Sequence, residues 1–259
     1  MIERIGKRLR AYAEKDGRGY PDWLMRYGPI VRRLRRRNLE GAAILEIGAN
    51  ENGFSRFSGL PVIALDVNVK HLDACRRTQR AQPVVGDVSA LPFRAGTFAA
   101  CVCVDTFEHL PEETRHRAVD EIVRILDDRG TAVVSFPSGA GAVAAERRVR
   151  DEYRSRTGNQ LHWLEEHDQE GLPCPDSICG RFREQMSDTH AVSVEKNANL
   201  LVWWWMWRIV LCGWPGRGNA VFQVGLRMLA PLLSRIHIGR CYRSIVWVEP
   251  GERTGGAAS

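Results

Sequence analysis

The chain has 259 residues, of which 44% are hydrophobic and 26% charged. That balance excludes a mainly disordered chain, a collagen-like repeat and a polytopic membrane protein, and leaves one large domain or two small ones. The net charge of +6 is uneven, because residues 1–40 carry 12 Lys and Arg against 5 Asp and Glu, while the rest is close to neutral.

The basic segment 1–40 is expected to be an N-terminal helical arm. Within it, residues 20–38 read as one amphipathic helix, or two with a break at Gly28-Pro29. From Ala42 the pattern becomes a series of near-continuous apolar runs: AAILEIG, PVIALD (61–66), PVVGD (83–87), FAACVCVD (98–105) and TAVVSF (131–136). Such runs suit parallel strands buried on both faces. Helix-like stretches lie between them at 68–80 and 111–126, the latter with Pro111 at its start. Residues 138–190 are more polar and are expected to cover the substrate, with a helix beginning at 181–186. A sixth strand is read at 191–196 and a last one at 241–249, with a Trp-rich helical insertion (198–237) between them, broken at Gly213–Gly216. Residues 250–259 read as a disordered tail. The fold expected is α/β: an open, mostly parallel, seven-stranded Rossmann-like sheet, with helices on both faces and a helical insertion before the last strand. The core is 41–137.

Open sheets of this kind bind ligands outside the carboxyl ends of their strands. Those ends carry Glu46 and Gly48, then Asp66, then Asp87, then Asp105, with the first three acids spaced 20 and 21 residues apart. An acid after the second strand suits ribose hydroxyls, and one after the third suits an exocyclic amine. The turn Glu46-Ile-Gly48-Ala-Asn50-Glu-Asn52-Gly53 has Gly48 and Gly53 for close approach. Asn50 and Asn52 are the residues that most readily take a left-handed backbone in place of Gly. An acidic rim repels a pyrophosphate and welcomes an ammonium or sulfonium.

The runs ILEIGANENGF, ALDVN, VVGDVSALPF, FAACVCVDTFEHLP and EIVRILDDRGTAVVSFP together resemble class I methyltransferases that use S-adenosylmethionine, across residues 42–137. The resemblance implies cofactor contacts from Glu46 and Gly48 at the methionine end, from Asp66 at the ribose, and from Asn50 and Val67. It implies Asp87 and Val88 at the adenine, with Asp105 and Thr106 beside the sulfonium. Asn50 stands where the family usually has Gly.

Methyl transfer to a hydroxyl gains from a general base. The candidates are His109, His167 and His162, with Glu108 and Glu165 behind them. The stretch around His162 and His167, followed by Gly171-Leu-Pro173, is similar to segments of relatives from polysaccharide and lipid-linked glycan pathways. The spacing of His162, His167, Cys174 and Cys179 fits no common zinc frame, and no metal is expected. Seven cysteines without a regular frame, and no secretory leader, favour a cytoplasmic setting.

Five of the eight Trp fall between 203 and 214. Trp and Arg together suit a membrane boundary, an internal packing layer or a homodimer contact. The reading is therefore a methyltransferase acting on a lipid-linked or glycan hydroxyl at the inner membrane face, touching the membrane through the basic arm and the Trp-rich insertion. The alternatives are a natural-product or quinone-type small-molecule methyltransferase, a nicotinamide-dependent oxidoreductase, and an inactive scaffold. No nucleic-acid partner is expected, since no base-amine or RNA-binding motif is present.

Overall fold

A computed structural model describes residues 20–37, 39, 41–78, 80–186, 190–211 and 219–251. Much of the basic arm, the Gly213–Gly216 break and most of the expected tail lie outside them. Strands β1 (Ile44–Ile47), β2 (Val62–Asp66), β3 (Ala81–Val85), β4 (Phe98–Val104), β5 (Leu126–Pro137), β6 (His190–Asn199) and β7 (Cys241–Pro250) form one seven-stranded sheet, ordered β3-β2-β1-β4-β5-β7-β6. The first five strands are parallel; β7 runs antiparallel to β5 and β6. An antiparallel β7 inserted beside β5 departs from the 3-2-1-4-5-6 order of dinucleotide-binding sheets, which sets the nicotinamide alternative aside.

Burial explains the strand pattern. Every residue of β1 is buried, as are all but one of β4, because helices pack on both faces. One apolar layer holds Phe98, Phe107, Ile122 and Phe136 with α4 (Glu112–Ile125) and α7 (Pro175–Gln185). The opposite layer holds Ile30, Leu34, Phe54 and Trp247 with α1 (Tyr20–Leu34) and α2 (Phe54–Ser58). Helix α3 (Val69–Thr78) joins β2 to β3.

Helix α1 is continuous through Pro29. A proline there has no N–H for the carbonyl of Met25, four residues earlier. The buried amide of Asn197 on β6 donates to that carbonyl instead, at 2.8 Å. Arg33, Arg35 and Arg37 of the arm have partners within the fold, while Arg32 and Arg36 are exposed. Arg33 pairs with Glu195 and Glu249 and stacks over Trp247 at 4.4 Å, Arg37 pairs with Glu249 at 3.1 Å, and Arg35 donates to the Ser58 carbonyl at 3.3 Å. Arg33, Arg35 and Arg37 thus tie the arm to the fold.

The polar stretch after β5 is more regular than its composition suggests. It forms α5 (Gly139–Thr157), α6 (His162–Glu170) and α7, and the helix expected to begin at 181 begins at Pro175. The insertion between β6 and β7 forms α8 (Leu200–Leu211) and α9 (Asn219–Leu233). Most of its described Trp side chains pack inward. Trp203 is buried and stacks on Tyr242 with ring centroids 3.7 Å apart, while Trp207 lies against Trp163 of α6 at 5.4 Å. Among the described residues no helix is long and apolar enough to cross a membrane.

Candidate active site

The turn after β1 is built around one carboxylate. Glu46 is buried, and its two oxygens accept the backbone N–H groups of Phe54 at 2.5 Å and Ser55 at 3.1 Å, at the start of α2. Burial pushes this carboxyl up to about 7, against the two N–H bonds that pull it down. The carboxylate occupies the space above Gly53, so that a Cβ there would overlap Glu46 Oε1. Gly53 has φ −79°, so its role is room for Glu46 rather than a left-handed backbone.

Gly48 is the left-handed residue of the turn, at φ +72°, and a Cβ on it would overlap Thr106 Oγ1. Its N–H and that of Ala49 both donate to the Leu65 carbonyl on β2, at 2.9 and 3.0 Å. Neither Asn50 nor Asn52 has positive φ, contrary to the sequence reading. Asn50 instead accepts the Asn52 N–H on its side-chain oxygen at 2.9 Å, an Asx turn that closes the loop by another route.

Asp66 and Asp87 stand at the ends of neighbouring strands, on the same edge as Gly48. Each is preset by a bond to its own loop: Asp66 accepts the Asn68 N–H at 2.6 Å, and Asp87 accepts the Ser89 N–H and hydroxyl, both at 2.7 Å. The Ser89 bonds hold Asp87 below the usual carboxylate range. Val67 is exposed on the rim and Val88 is buried beneath it. The loop carrying Asp87 is pinned from α4, where Glu121 accepts the Leu91 N–H at 2.6 Å and Arg124 donates to the carbonyls of Leu91 and Phe93.

Asp105 follows β4 with a left-handed φ of 54°, rare for a residue with a side chain. Its carboxylate takes Arg26 of α1 at 2.8 Å and the buried Arg243 of β7. Burial and then the nearby Arg26 charge lower Arg243, against the opposing pull of Asp22 and Tyr27. The acid expected from the sequence beside the sulfonium is thus bracketed by two guanidiniums.

Beside Asp105 opens a cleft of about 270 Å³, lined in part by Asn50, Glu108, His109, Trp163, His167 and Trp207. His109 comes from a short 3₁₀ turn (Phe107–His109) and His167 from α6. Their ring centroids are 4.8 Å apart. His109 Nδ1 meets Glu166 at 2.9 Å; His167 Nδ1 meets the buried Glu146 at 3.1 Å, and the Tyr242 hydroxyl donates to the same Glu146 oxygen at 2.5 Å. Burial pushes Glu108 up to about 8, and burial followed by the His167 charge lowers His109. Arg115 joins the two histidine-bearing segments, since it donates to the Phe107 carbonyl at 2.8 Å and to the Gly171 carbonyl at 2.5 Å.

His162 does not join them. It lies five residues before His167, about 140° around the helix, and is exposed. Cys174 is exposed and Cys179 is buried in the core beside Ile178 and Phe182, so the His162, His167, Cys174, Cys179 set is not assembled. Sequence reasoning missed Arg26, Glu146, Arg115, Tyr242 and Arg243. Glu146 had a signal: it sits within Ala142, Ala145 and Val149, the i, i+3, i+4, i+7 stripe of α5.

Residues 45–134 match the family described as a methyltransferase domain. The matched segment runs from β1 into β5 and takes up about a third of the chain. Over 97 residues the chain is 29% identical to the tRNA (carboxymethyluridine(34)-5-O)-methyltransferase alkbh8 of Xenopus tropicalis, a match covering 37% of this chain and 15% of that relative. The chain thus spans only a small part of the curated relative. A SAM-dependent methyltransferase from Thermotoga maritima superposes with a TM-score of 0.56 at 13% identity, over 94% of this chain and 98% of its own. Magnesium protoporphyrin IX methyltransferase from Synechocystis does so with a TM-score of 0.52 at 12% identity, over 87% and 82%. At these identities the likeness to the solved structures is one of fold.

The turn after β1 depends on Glu46. Glu46→Ala leaves two N–H groups without an acceptor, at roughly 1–3 kcal/mol each. Urea denaturation should report that loss of stability, and a variant as stable as the parent contradicts the role assigned to the carboxylate.

Proposed function

We propose that the chain transfers a methyl group from S-adenosylmethionine to a hydroxyl acceptor seated in the cleft beside Asp105. The observation that carries this reading is the row formed at one sheet edge by the Gly48 turn, Asp66 and Asp87. In it Gly48 and Asn50 hold the methionine end and Asp66 accepts from the ribose hydroxyls. Val67 packs on the adenine ring, and Asp87 with the Val88 backbone reads its edge. Asp105 and Thr106 border the sulfonium. Glu46 acts through the turn as a positioning residue and does not itself touch the cofactor.

When bound, the cofactor supplies the reactive methyl group; the protein supplies alignment and charge. The acceptor oxygen attacks the methyl carbon in line with the sulfur, and its proton leaves on the side of the cleft lined by Glu108, His109 and His167. Trp163, Trp203, Trp207 and Tyr242 give the cleft flat walls around a polar floor. Such walls suit a sugar ring or another polyhydroxylated ring, which supports a glycan acceptor. Leu201, Met228, Leu229, Leu232 and Ile238 are exposed large apolar side chains on or next to the α8–α9 insertion. They support contact with a membrane surface and hence a lipid-linked acceptor. The exposed Arg32 and Arg36 of the arm would add charge to that contact.

Calorimetry with S-adenosylhomocysteine is expected to show one site per chain, and Asp66→Ala to weaken it tenfold or more, about 1.4 kcal/mol. His109→Ala and His167→Ala are expected to keep that affinity while lowering transfer of labelled methyl into a glycolipid fraction about 100-fold. Absence of cofactor binding by the folded chain sinks the reading.

The membrane part has its own test. Co-sedimentation with anionic vesicles at low salt should capture the chain, and Leu229→Glu with Leu232→Glu should release it. A chain that stays in the supernatant and instead sediments as a dimer assigns the apolar face to a second copy.

A further inference from the structure

We propose that Glu108, His109 and His167 bind a divalent transition-metal ion on the wall of the acceptor cleft. One ligand atom from each of the three, two imidazole nitrogens and a carboxylate oxygen, lies within 4.8 Å of the other two. Residues 108 and 109 come from the turn after β4, and 167 comes from α6, 58 positions after His109 in the chain. The site is therefore a product of the tertiary fold. No spacing pattern announces it.

Two observations point to a cation. Glu108 and His167 are 1% and 4% exposed, and Glu108 Oε2 and His167 Nε2 have no hydrogen-bond partner among the described residues. Buried polar atoms of this kind are normally satisfied, and both line the same cleft. One ion with lone pairs from both would satisfy them together. The second observation is the outer layer. Each imidazole places Nδ1 against a carboxylate, His109 against Glu166 at 2.9 Å and His167 against Glu146 at 3.1 Å. A carboxylate there takes the Nδ1–H and leaves Nε2 as a lone pair, which is how metal-bound histidines are oriented. Glu146 is fixed in turn by Tyr242, and Arg115 ties the 3₁₀ turn to the end of α6.

The donor set selects the metal. Two imidazoles and one carboxylate suit Zn²⁺, Fe²⁺, Co²⁺ or Mn²⁺ better than Ca²⁺ or Mg²⁺, which prefer oxygen alone. Three protein ligands leave a position open toward the cleft. An acceptor hydroxyl bound there loses its proton more readily. Its oxygen then forms the C–O bond as the C–S bond breaks. The sulfur keeps the electron pair as a neutral thioether, and the proton goes to solvent. This role rests on methyl transfer being the reaction; binding of the ion does not.

The test uses the full chain, stripped with a chelator and titrated with Co²⁺ by visible absorption and with Zn²⁺ by calorimetry. One equivalent per chain is expected. His167→Ala and the near-isosteric Glu108→Gln should abolish it. Glu146→Gln should weaken it 10–100-fold, as loss of an outer partner does, and His162→Ala should leave it unchanged. Circular dichroism and S-adenosylhomocysteine affinity check that each variant is folded. No saturable binding, or binding indifferent to Glu108→Gln and His167→Ala, overturns the proposal. If S-adenosylhomocysteine binds and the metals do not, the metal site falls while the methyltransferase reading stands. The reverse result separates them the other way.

Discussion

A buried carboxylate under a backbone turn is the constraint on which the site depends. Glu46 gives both oxygens to the N–H groups that open α2, so the strand, the turn and the helix move as one unit. Two glycines are required by sterics: Gly53 because the carboxylate fills the space of a side chain, and Gly48 because Thr106 closes over it. With the turn held this way, its bonds to the Leu65 carbonyl place it beside the end of β2. Asp66 and Asp87 are then separated from it only by the spacing of adjacent strands, about 4.8 Å each.

The acceptor side is assembled differently. Here the side chains of α1, the turn after β4, α6, α8 and β7 meet Asn50 of the turn after β1. Long-range polar bonds join them: Arg26 and Arg243 to Asp105, Glu146 to His167 and Tyr242, Arg115 to two carbonyls far apart in sequence. The left-handed Asp105 is a strained residue at the meeting point of the two halves. Its two guanidinium partners hold it, and they fasten the N-terminal helix and the last strand to the same carboxylate. The cofactor half is thus a local device of the sheet, and the acceptor half is a tertiary network laid over it.

This division explains what could be read from the sequence. The strands were legible because parallel strands buried on both faces must be continuously apolar, and the acids ending β2 and β3 stood out against those runs. The mode of action of the turn was only half legible. Asn50 and Asn52 looked like stand-ins for left-handed glycines, but a side-chain bond between them and a glycine elsewhere do that work. Helix α5 was hidden because its buried stripe uses Ala142, Ala145 and Val149 around a charged Glu146, which carries little hydrophobic signal. The Trp-rich insertion was ambiguous for another reason: the same aromatic composition serves a membrane boundary and an inward wall, and only contacts such as Trp203 on Tyr242 tell them apart. The partners of Asp105 lie 79 and 138 residues away, beyond any local pattern.

The most direct trial of the whole account is a crystal structure of the chain grown with S-adenosylhomocysteine. The account predicts the ribose hydroxyls on the Asp66 carboxylate, the adenine between Val67 and the Asp87–Val88 backbone, and the sulfur facing the cleft at Asp105 and Thr106. A ligand bound anywhere else on the protein, or a Gly48 turn from which Glu46 has swung away to contact the ligand, contradicts it.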